Sequence, residues 1–274
     1  MSLIQVGIVD TTGKLDPHLV SEAAAAINVQ VMRDLPQFWN IQATVRALPD
    51  AKQIPSGVWP VKLVKSLPPG EGGFHMTEHN QPYAKVIATP GDETWTIDAS
   101  HEIIEMLVDP DGNRLQSSKS IKIVGDAVID GNGEFNYLVE ACDPCEANVF
   151  AYSIQGIAVS DFITPHFYDP VATPGTRYSF NGSCTGPREL LQGGYISFIN
   201  GTEMQQILWV DPSEPPQLRN LGRVSGGSLR VWIDNHTENL VRKHKEPNEE
   251  LMSAANEHRI ALRKLAAIHA KFYK

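Results

Sequence analysis

The spacing of apolar residues near the start of the chain changes from a period of two to a helical period and back again. Residues 3–10, "LIQVGIVD", alternate and are rich in β-branched side chains, which predicts a strand. Residues 16–39 have a helical period, with Asp16 as the cap and Pro17 in the first turn. Three further strand patterns follow, separated by turns that contain proline and glycine: "ATVRALP", "VWPVKLVKSL" and "YAKVIATP". Residues 1–98 are therefore expected to form a mixed sheet backed by one helix.

A second helical pattern, "ASHEIIEMLVDP" at residues 99–110, is apolar on nearly every side. We expect the helix to begin at His101, with Asp98 or Ser100 as its cap, and to end at Asp109, which a proline follows. Because almost all of its surface is apolar, the helix should be buried together with its charged side chains.

Beyond this helix the pattern changes to short strands and turns, including a stretch at 173–216 that is rich in glycine, proline and aromatic residues. The polar and charged residues 236–247 are the best candidate for a linker. Residues 248–274 predict a final helix, acidic in its first turn and basic in its last, as the helix dipole favours. The apolar stripe expected to bury this helix consists of Leu251, Ala255, Leu262, Leu265 and Phe272.

Composition and net charge indicate a globular protein and argue against some classes of partner. The chain has 274 residues, of which 42% are hydrophobic, which is enough for a sizeable core. Its net charge of −9 argues against nucleic acid or an anionic membrane surface as a partner, since both require a basic face. The sequence shows neither a membrane-spanning run nor a signal peptide, so a cytoplasmic location is expected.

The buried helix carries residues suited to metal-assisted hydrolysis. His101 and Glu105 are one turn apart on the same face and can hold one divalent ion together. Glu102 lies on the neighbouring flank, where its carboxylate can take a proton from water without binding the ion. An unpaired carboxylate in apolar surroundings costs several kcal/mol, and a cation offsets that cost. The alternative is a structural network in which backbone groups or an arginine satisfy the glutamates.

A third ligand is expected from the acidic stretch "YLVEACDPCE". Glu140 follows an apolar strand pattern, so it should project from the end of the sheet, and we predict it as the third metal ligand. The alternatives are Asp143 and Glu146, on the turn that follows, and His166, a loop histidine. Asp109 is rotated about 80° from His101 on the helix and is interpreted as a helix-end residue.

Another pair of histidines, His75 and His79, flanks Glu78 in "GFHMTEHN". The glycines before this segment and the Asn-Gln-Pro after it predict a loop, so we interpret it as a wall of the cleft rather than as a ligand set. The strand that follows, "YAKVIATP", is expected to lie beside the substrate.

The cysteines and tyrosines give weaker indications. Cys142 and Cys145 are spaced as a redox pair or half a zinc clip, with Cys184 the only further thiol, but three cysteines favour ordinary buried thiols. Several tyrosines are candidates for stabilising an oxyanion, and the sequence favours none of them over the others. They are Tyr137, Tyr152, Tyr168, Tyr178 and Tyr195.

The order of a mixed sheet, a backing helix and a buried His-Glu helix resembles the zincin metallopeptidases over residues 1 to about 110. His101 and Glu102 match the first metal ligand and the general base of the zincin His-Glu-x-x-His motif. Glu105 replaces the second histidine, as in less common His-Glu-x-x-Glu variants among uncharacterised bacterial and phage-type proteins. The resemblance implies zinc and a peptide or protein substrate that pairs with a strand edge, while the added carboxylates favour manganese or calcium as alternatives.

The expected fold is α+β and zincin-like: a mixed sheet with a backing helix and an active-site helix, a lower subdomain rich in strands and turns, and a carboxy-terminal helix. One zincin-like domain should cover residues 1–235, divided into an upper part at 1–108 and a lower part at 109–235, with the linker and last helix at 236–274. The expected function is that of a metal-dependent hydrolase resembling a metallopeptidase. The alternatives are a non-catalytic binding or assembly protein, phage-related and with a structural ion, and a hydrolase of non-peptide amides. The sequence does not indicate an oligomeric state.

Overall fold

The amino-terminal part of the chain forms a five-stranded mixed sheet. The structure, a computed structural model, describes residues 3–68, 72–211, 213–237 and 248–272. The strands of this sheet are β1 (Ile4–Asp10), β2 (Ala43–Leu48), β3 (Val58–Val64), β4 (Gly73–Glu78) and β5 (Gln81–Ile87). Their order is β2-β1-β3-β5-β4, in which β4 runs antiparallel to β5 and the other neighbours are parallel. The prediction of an α+β chain with a mixed sheet is therefore confirmed.

The first helix, α1 (Pro17–Val29), begins as the sequence predicts. The Asp16 side chain accepts a hydrogen bond from the His18 amide at 2.9 Å, and Pro17 occupies the first turn. The helix continues as a π-helical segment, Gln30–Asp34, and a short 3-10 turn. It packs against β2 and β1 on the inner face of the sheet, where its alanine- and valine-rich stripe joins the main hydrophobic core.

The second helix, α2 (Trp95–Val108), begins six residues before His101, so the predicted start was wrong. Asp92 accepts hydrogen bonds from the amide and hydroxyl of Thr94 and fixes the turn that starts the helix. The two expected caps lie inside the helix instead, where the Ser100 hydroxyl accepts a hydrogen bond from the Ser160 amide. The predicted end at Asp109 is confirmed. Every residue of α2 except Asp98 is buried, which matches its apolar pattern.

The segment "GFHMTEHN" is strand β4 and the turn that follows it, not the predicted loop. His79 and Asn80 both adopt positive φ angles, of 52° and 61°, which close a two-residue hairpin between β4 and β5. As a result β4 is the edge strand, and "YAKVIATP" contributes to the internal strand β5 rather than to the edge expected beside a substrate. α2 packs against both strands.

The remainder of the chain forms an antiparallel sheet and a small hairpin. The sheet, in the order β12-β11-β10-β7-β6, comprises β6 (Leu115–Val124), β7 (Ala127–Leu138), β10 (Tyr195–Asn200), β11 (Glu203–Leu208) and β12 (Gln217–Arg223). The hairpin pairs β8 (Tyr152–Ile154) with β9 (Ile157–Val159). One hydrophobic core contains side chains from both larger sheets and from α2. The buried helix therefore lies where the two halves of the chain meet.

Two helices complete the described chain: α3 (Leu229–Thr237) and α4 (Glu249–Phe272). The predicted linker at 236–247 lies outside the described residues except for its first two positions, which end α3. The predicted stripe of α4 is wrong in its second half, because the helix contacts the β8–β9 hairpin mainly around Ala255, and Leu262 and Leu265 are exposed. None of the described helices is both long and apolar enough to cross a membrane.

Candidate metal centre

The helical turn between His101 and Glu105 brings an imidazole and a carboxylate together in the interior. His101 Nε2 lies 3.2 Å from Glu105 Oε2, as the period of α2 predicts. The Glu105 side chain is fully buried and that of His101 is 9% exposed. Glu105 Oε1 accepts a hydrogen bond from the Cys142 amide at 3.0 Å, whereas Oε2 has no hydrogen-bond partner among the described residues.

Glu102 is directed from α2 toward the edge strand β4. Its Oε2 atom lies 3.2 Å from His75 Nδ1, and the His75 side chain is fully buried. The close approach depends on Gly73, because a Cβ atom there would lie 2.8 Å from Glu102 Oε1. His79 is 91% exposed in the hairpin turn, and of the two histidines in this segment only His75 reaches the glutamates.

The acidic stretch after β7 lies against the same helix face. Asp143 Oδ1 is 3.2 Å from His101 Nε2, and the Glu105, Glu140 and Asp143 carboxylates each offer an oxygen within 4.8 Å of the others. Glu146 offers an oxygen within the same distance of His101 and Asp143. The acidic side chains of this stretch therefore lie beside His101 and Glu105, with Asp143 in direct contact with His101.

His166, the other predicted alternative ligand, lies elsewhere. Its side chain is 53% exposed and pairs with Asp169 at 2.9 Å. It belongs to none of the sets of ligand atoms that converge in the described part of the chain. Asp109 ends α2 and accepts a hydrogen bond from the Arg114 amide at 2.7 Å, in keeping with its interpretation as a helix-end residue.

Arg230, a residue that the sequence analysis missed, extends from α3 into the acidic cluster. Its Nη1 atom lies 3.1 Å from Glu140, 3.5 Å from Asp143 and 3.7 Å from Glu105. The Arg230 amide donates to Gly112 O, which fixes the start of α3 beside the end of α2. No local pattern could have shown this contact, since α3 is short and Arg230 is 90 residues from Glu140 along the chain.

The buried charges shift one another's pKa values. Burial disfavours the His101 imidazolium, but the neighbouring Glu105 and Asp143 carboxylates outweigh it and raise the pKa of His101 well above its ordinary value. Burial also raises the pKa of Glu140 well above its ordinary value, despite the opposing charge of Arg230. The pKa of Glu102 is lowered, because the hydrogen bond with His75 and the charge of His101 outweigh its burial. Glu102 is therefore held ionised, in the form that accepts a proton.

With its carboxylates ionised and its histidines neutral, as metal binding requires, the cluster carries more negative than positive charge. Among the described residues, one guanidinium, that of Arg230, lies against the buried carboxylates of Glu102, Glu105, Glu140 and Asp143. Protonated histidines can supply further positive charge, but only by ceasing to be metal ligands. Glu105 Oε2 accepts no hydrogen bond of good geometry from the described residues and lies 3.2 Å from His101, 3.7 Å from His75 and 3.7 Å from Arg230, a position where a cation could bind.

The donor atoms suit a divalent ion. In tetrahedral zinc sites with bonds of about 2.0–2.1 Å to nitrogen and oxygen, the ligand atoms lie about 3.3 Å apart. The 3.2 Å separations from His101 Nε2 to Glu105 and to Asp143 match this spacing. Nitrogen and several carboxylate oxygens are ligands that zinc accepts and that manganese also favours.

The cysteines and tyrosines lie around this cluster. All three cysteines are free and buried, in agreement with the expectation of ordinary buried thiols, and burial is the largest cause that raises the pKa of Cys142. Cys142 Sγ is itself within 4.8 Å of ligand atoms of His101 and Glu105. Burial and the charge of Glu140 raise the pKa of Tyr168, so this hydroxyl is within electrostatic range of the cluster. Three other candidate tyrosines make hydrogen bonds elsewhere: Tyr137, Tyr152 and Tyr178.

Comparisons with protein-family models, with curated proteins and with solved structures found no match to this chain.

Proposed function

We propose that this chain is a zincin-like, metal-dependent hydrolase in which His101 and Glu105 hold a divalent ion and Glu102 acts as the general base. The observation that carries the proposal is the buried contact of His101 Nε2 with Glu105 Oε2 and Asp143 Oδ1, at 3.2 Å each, in a cluster rich in buried carboxylates. A bound cation would compensate the carboxylates that the ion pairs leave unbalanced.

The third ligand is proposed to come from the acidic stretch after β7. Both Glu140, the residue predicted from the sequence, and Asp143 lie within ligand distance of Glu105. Asp143 contacts His101 directly, whereas the measured contact of Glu140 is with Arg230 at 3.1 Å. These contacts favour Asp143 as the ligand and Glu140 as the partner of Arg230. Zinc is the proposed ion, with manganese or calcium as alternatives.

Glu102 has the position and charge for proton transfer. When bound, a divalent ion would lower the pKa of a water molecule and polarise a substrate carbonyl group. Glu102 lies one residue from His101 on α2, is kept ionised by its surroundings and has one oxygen fixed by His75. Its other oxygen, Oε1, lies against the backbone of β4 at Gly73. Glu102 is thus placed between the metal ligands and the strand that borders the site.

A peptide is the proposed substrate class. β4 is an edge strand of the mixed sheet and packs on α2. The free edge of such a strand can pair with an extended peptide through main-chain hydrogen bonds. This mode would lay a peptide beside Glu102, which contacts the strand. The same combination of edge strand and His-Glu helix is what the zincin resemblance implies.

The test is peptide cleavage by the metal-loaded chain and by Glu102→Gln. A peptide library incubated with the zinc-loaded protein should give products detectable by mass spectrometry. Glu102→Gln should remove at least about 99% of the cleavage, since general-base catalysis contributes roughly 10²–10⁴-fold, while zinc content stays the same. Glu257→Gln, an exposed change on α4 outside the cluster and the edge strand, is the control and should cleave normally. Cleavage that survives Glu102→Gln would contradict the assignment.

A non-catalytic binding or assembly protein with a structural ion is the second candidate. It is favoured by the deep burial of the cluster and by Arg230, which already neutralises part of it. For this candidate, Glu102→Gln should change neither metal content nor partner binding, and the zinc-loaded wild type should leave the peptide library intact.

A further inference from the structure

We propose that His75, Glu102 and Glu105 form a second divalent-cation site, which shares the Glu105 carboxylate with the site at His101. The proposal deepens the proposed function, on which its consequence for hydrolysis rests. The binding itself can be measured without any hydrolysis.

Three donors of the right chemistry converge between α2 and β4. His75 Nδ1 lies 3.2 Å from Glu102 Oε2 and 3.7 Å from Glu105 Oε2, and one ligand atom from each of the three residues lies within 4.8 Å of the others. These separations fall in the range found between adjacent ligands of a divalent ion with bonds of about 2.0–2.2 Å. All three side chains are at least nine-tenths buried. The set combines one imidazole with two carboxylates, which zinc and manganese both accept.

Glu105 Oε2 is the atom that joins the two sites. Its partner oxygen, Oε1, is already used by the Cys142 amide, so only Oε2 can turn toward an ion. Oε2 lies 3.2 Å from His101 Nε2 and 3.7 Å from His75 Nδ1, and it accepts no hydrogen bond from the described residues. An oxygen that lies between two imidazoles and accepts no hydrogen bond of good geometry is placed to bridge two ions. Hydrolases with two metal ions hold them about 3.5–4 Å apart.

The backbone of the edge strand is shaped to keep this set together. Gly73 allows the Glu102 carboxylate to approach β4, because a Cβ atom there would lie 2.8 Å from Oε1 and 2.9 Å from Cγ of that side chain. His75 follows Gly73 by two residues on β4. The residue that leaves room for Glu102 and the residue that contacts it therefore belong to the same short strand. Any larger residue at position 73 would push Glu102 away from His75.

The second site should bind a divalent ion with lower affinity than the first. The first can draw on Asp143 and the other carboxylates after β7, while the second has three protein donors and shares one of them. If Glu102 is the general base, an ion bound to it would block its use as a base. Excess zinc should therefore slow hydrolysis by the loaded protein.

Equilibrium dialysis of the metal-free full chain against increasing zinc, with metal analysis of the protein, tests the proposal. The wild type should bind two zinc ions per chain. His75→Phe should bind one, with the affinity for the remaining ion changed by less than about 3-fold and the second affinity reduced by at least about 100-fold, beyond the cost of losing an outer-shell partner. His79→Ala, at an exposed histidine in the turn directly after β4, should bind two and serves as the matched control.

Three results would overturn the proposal. One ion in the wild type, lost in His101→Ala, would leave the proposed function standing without a second site. Two ions in folded His75→Phe would place the second ion elsewhere. No ion in the wild type would reject this site and the proposed function together. Circular dichroism checks the fold of each variant, and His75→Gln, which keeps a polar group of similar size, replaces His75→Phe if that variant is unfolded.

Discussion

The molecule has one charged cluster at α2 and another at α4, and the arginines of the two clusters pair with carboxylates in different ways. At α4, each guanidinium makes two hydrogen bonds of 2.6 Å with one carboxylate: Arg259 with Glu93, and Arg263 with Glu22. At α2, the Arg230 guanidinium is shared by the Glu105, Glu140 and Asp143 carboxylates at 3.1–3.7 Å and also pairs with Asp234 at 3.2 Å. The first cluster has a well-aligned carboxylate for each guanidinium. The second has excess negative charge when its carboxylates are ionised.

The difference separates a structural ion-pair network from a candidate site for a cation. Ion pairs with good geometry need no additional cation, and they contribute to the free energy of unfolding only through packing and hydrogen bonding. Buried carboxylates without matching donors are unfavourable unless something compensates them. Zinc should therefore stabilise the protein through the α2 cluster and leave the α4 cluster unaffected, and three predictions follow this contrast from the largest effect to the smallest.

Arg230→Met should destabilise the metal-free protein by about 3–5 kcal/mol, since it removes the one permanent cation that contacts Glu105, Glu140 and Asp143 within the described part of the chain. Zinc should recover part of this loss, so the variant should gain more from zinc than the wild type does. Urea unfolding of both proteins with and without zinc measures this. Equal gains from zinc would show that the ion and the guanidinium do not neutralise the same carboxylates.

The pH dependence of stability should reverse when zinc is added. The pKa values of His101 and Glu140 are both raised in the metal-free fold, so each holds a proton that the unfolded chain has lost. Their contribution is present at low pH and disappears as the pH rises through the raised values. As the pH rises above the ordinary histidine pKa of about 6.5, metal-free stability from these groups should fall, while stabilisation by zinc should grow because the ion competes with protons. Thermal unfolding across this pH range, with zinc and with a chelator, measures how stability changes with pH in the metal-loaded and the metal-free protein.

Substitutions of the α4 arginines should lower the free energy of unfolding by less than Arg230→Met does, and zinc should not alter their effect. Arg259→Gln should cost about 1.5–3 kcal/mol, the value of hydrogen bonds to charged groups, because its side chain is 8% exposed. Arg263→Gln should cost only about 0.2–1 kcal/mol, because its side chain is 45% exposed. The same urea measurements apply. A zinc-dependent cost at either position would show that the two clusters are coupled.

Local sequence pattern was sufficient for much of the fold. The β-branched pattern of β1, the cap at Asp16 and the apolar pattern of α2 each depend on neighbouring residues only, and the strand, the cap and the buried helix all appear in the structure. The contact of His101 with Glu105 follows from the period of a single helix. These features could be predicted because their causes lie within one element.

Contacts between distant elements could not be predicted in the same way. The glycines before His75 indicated a loop, yet pairing with β5 makes the segment an edge strand and turns His75 toward Glu102. Arg230 reaches the cluster only because α3 docks on the turn after α2. The choice between Glu140 and Asp143 depends on how the chain bends after β7, which no periodic pattern describes.

The most direct test is a crystal of the full chain grown with zinc and measured at the zinc absorption edge. We predict an anomalous difference peak within about 2.0–2.2 Å of both His101 Nε2 and a Glu105 carboxylate oxygen. Matched crystals of Glu105→Gln should lack this peak. No peak at this position in the wild type, with His101 and Glu105 paired only to protein groups, would contradict the claim that the buried acidic cluster of α2 holds a divalent ion.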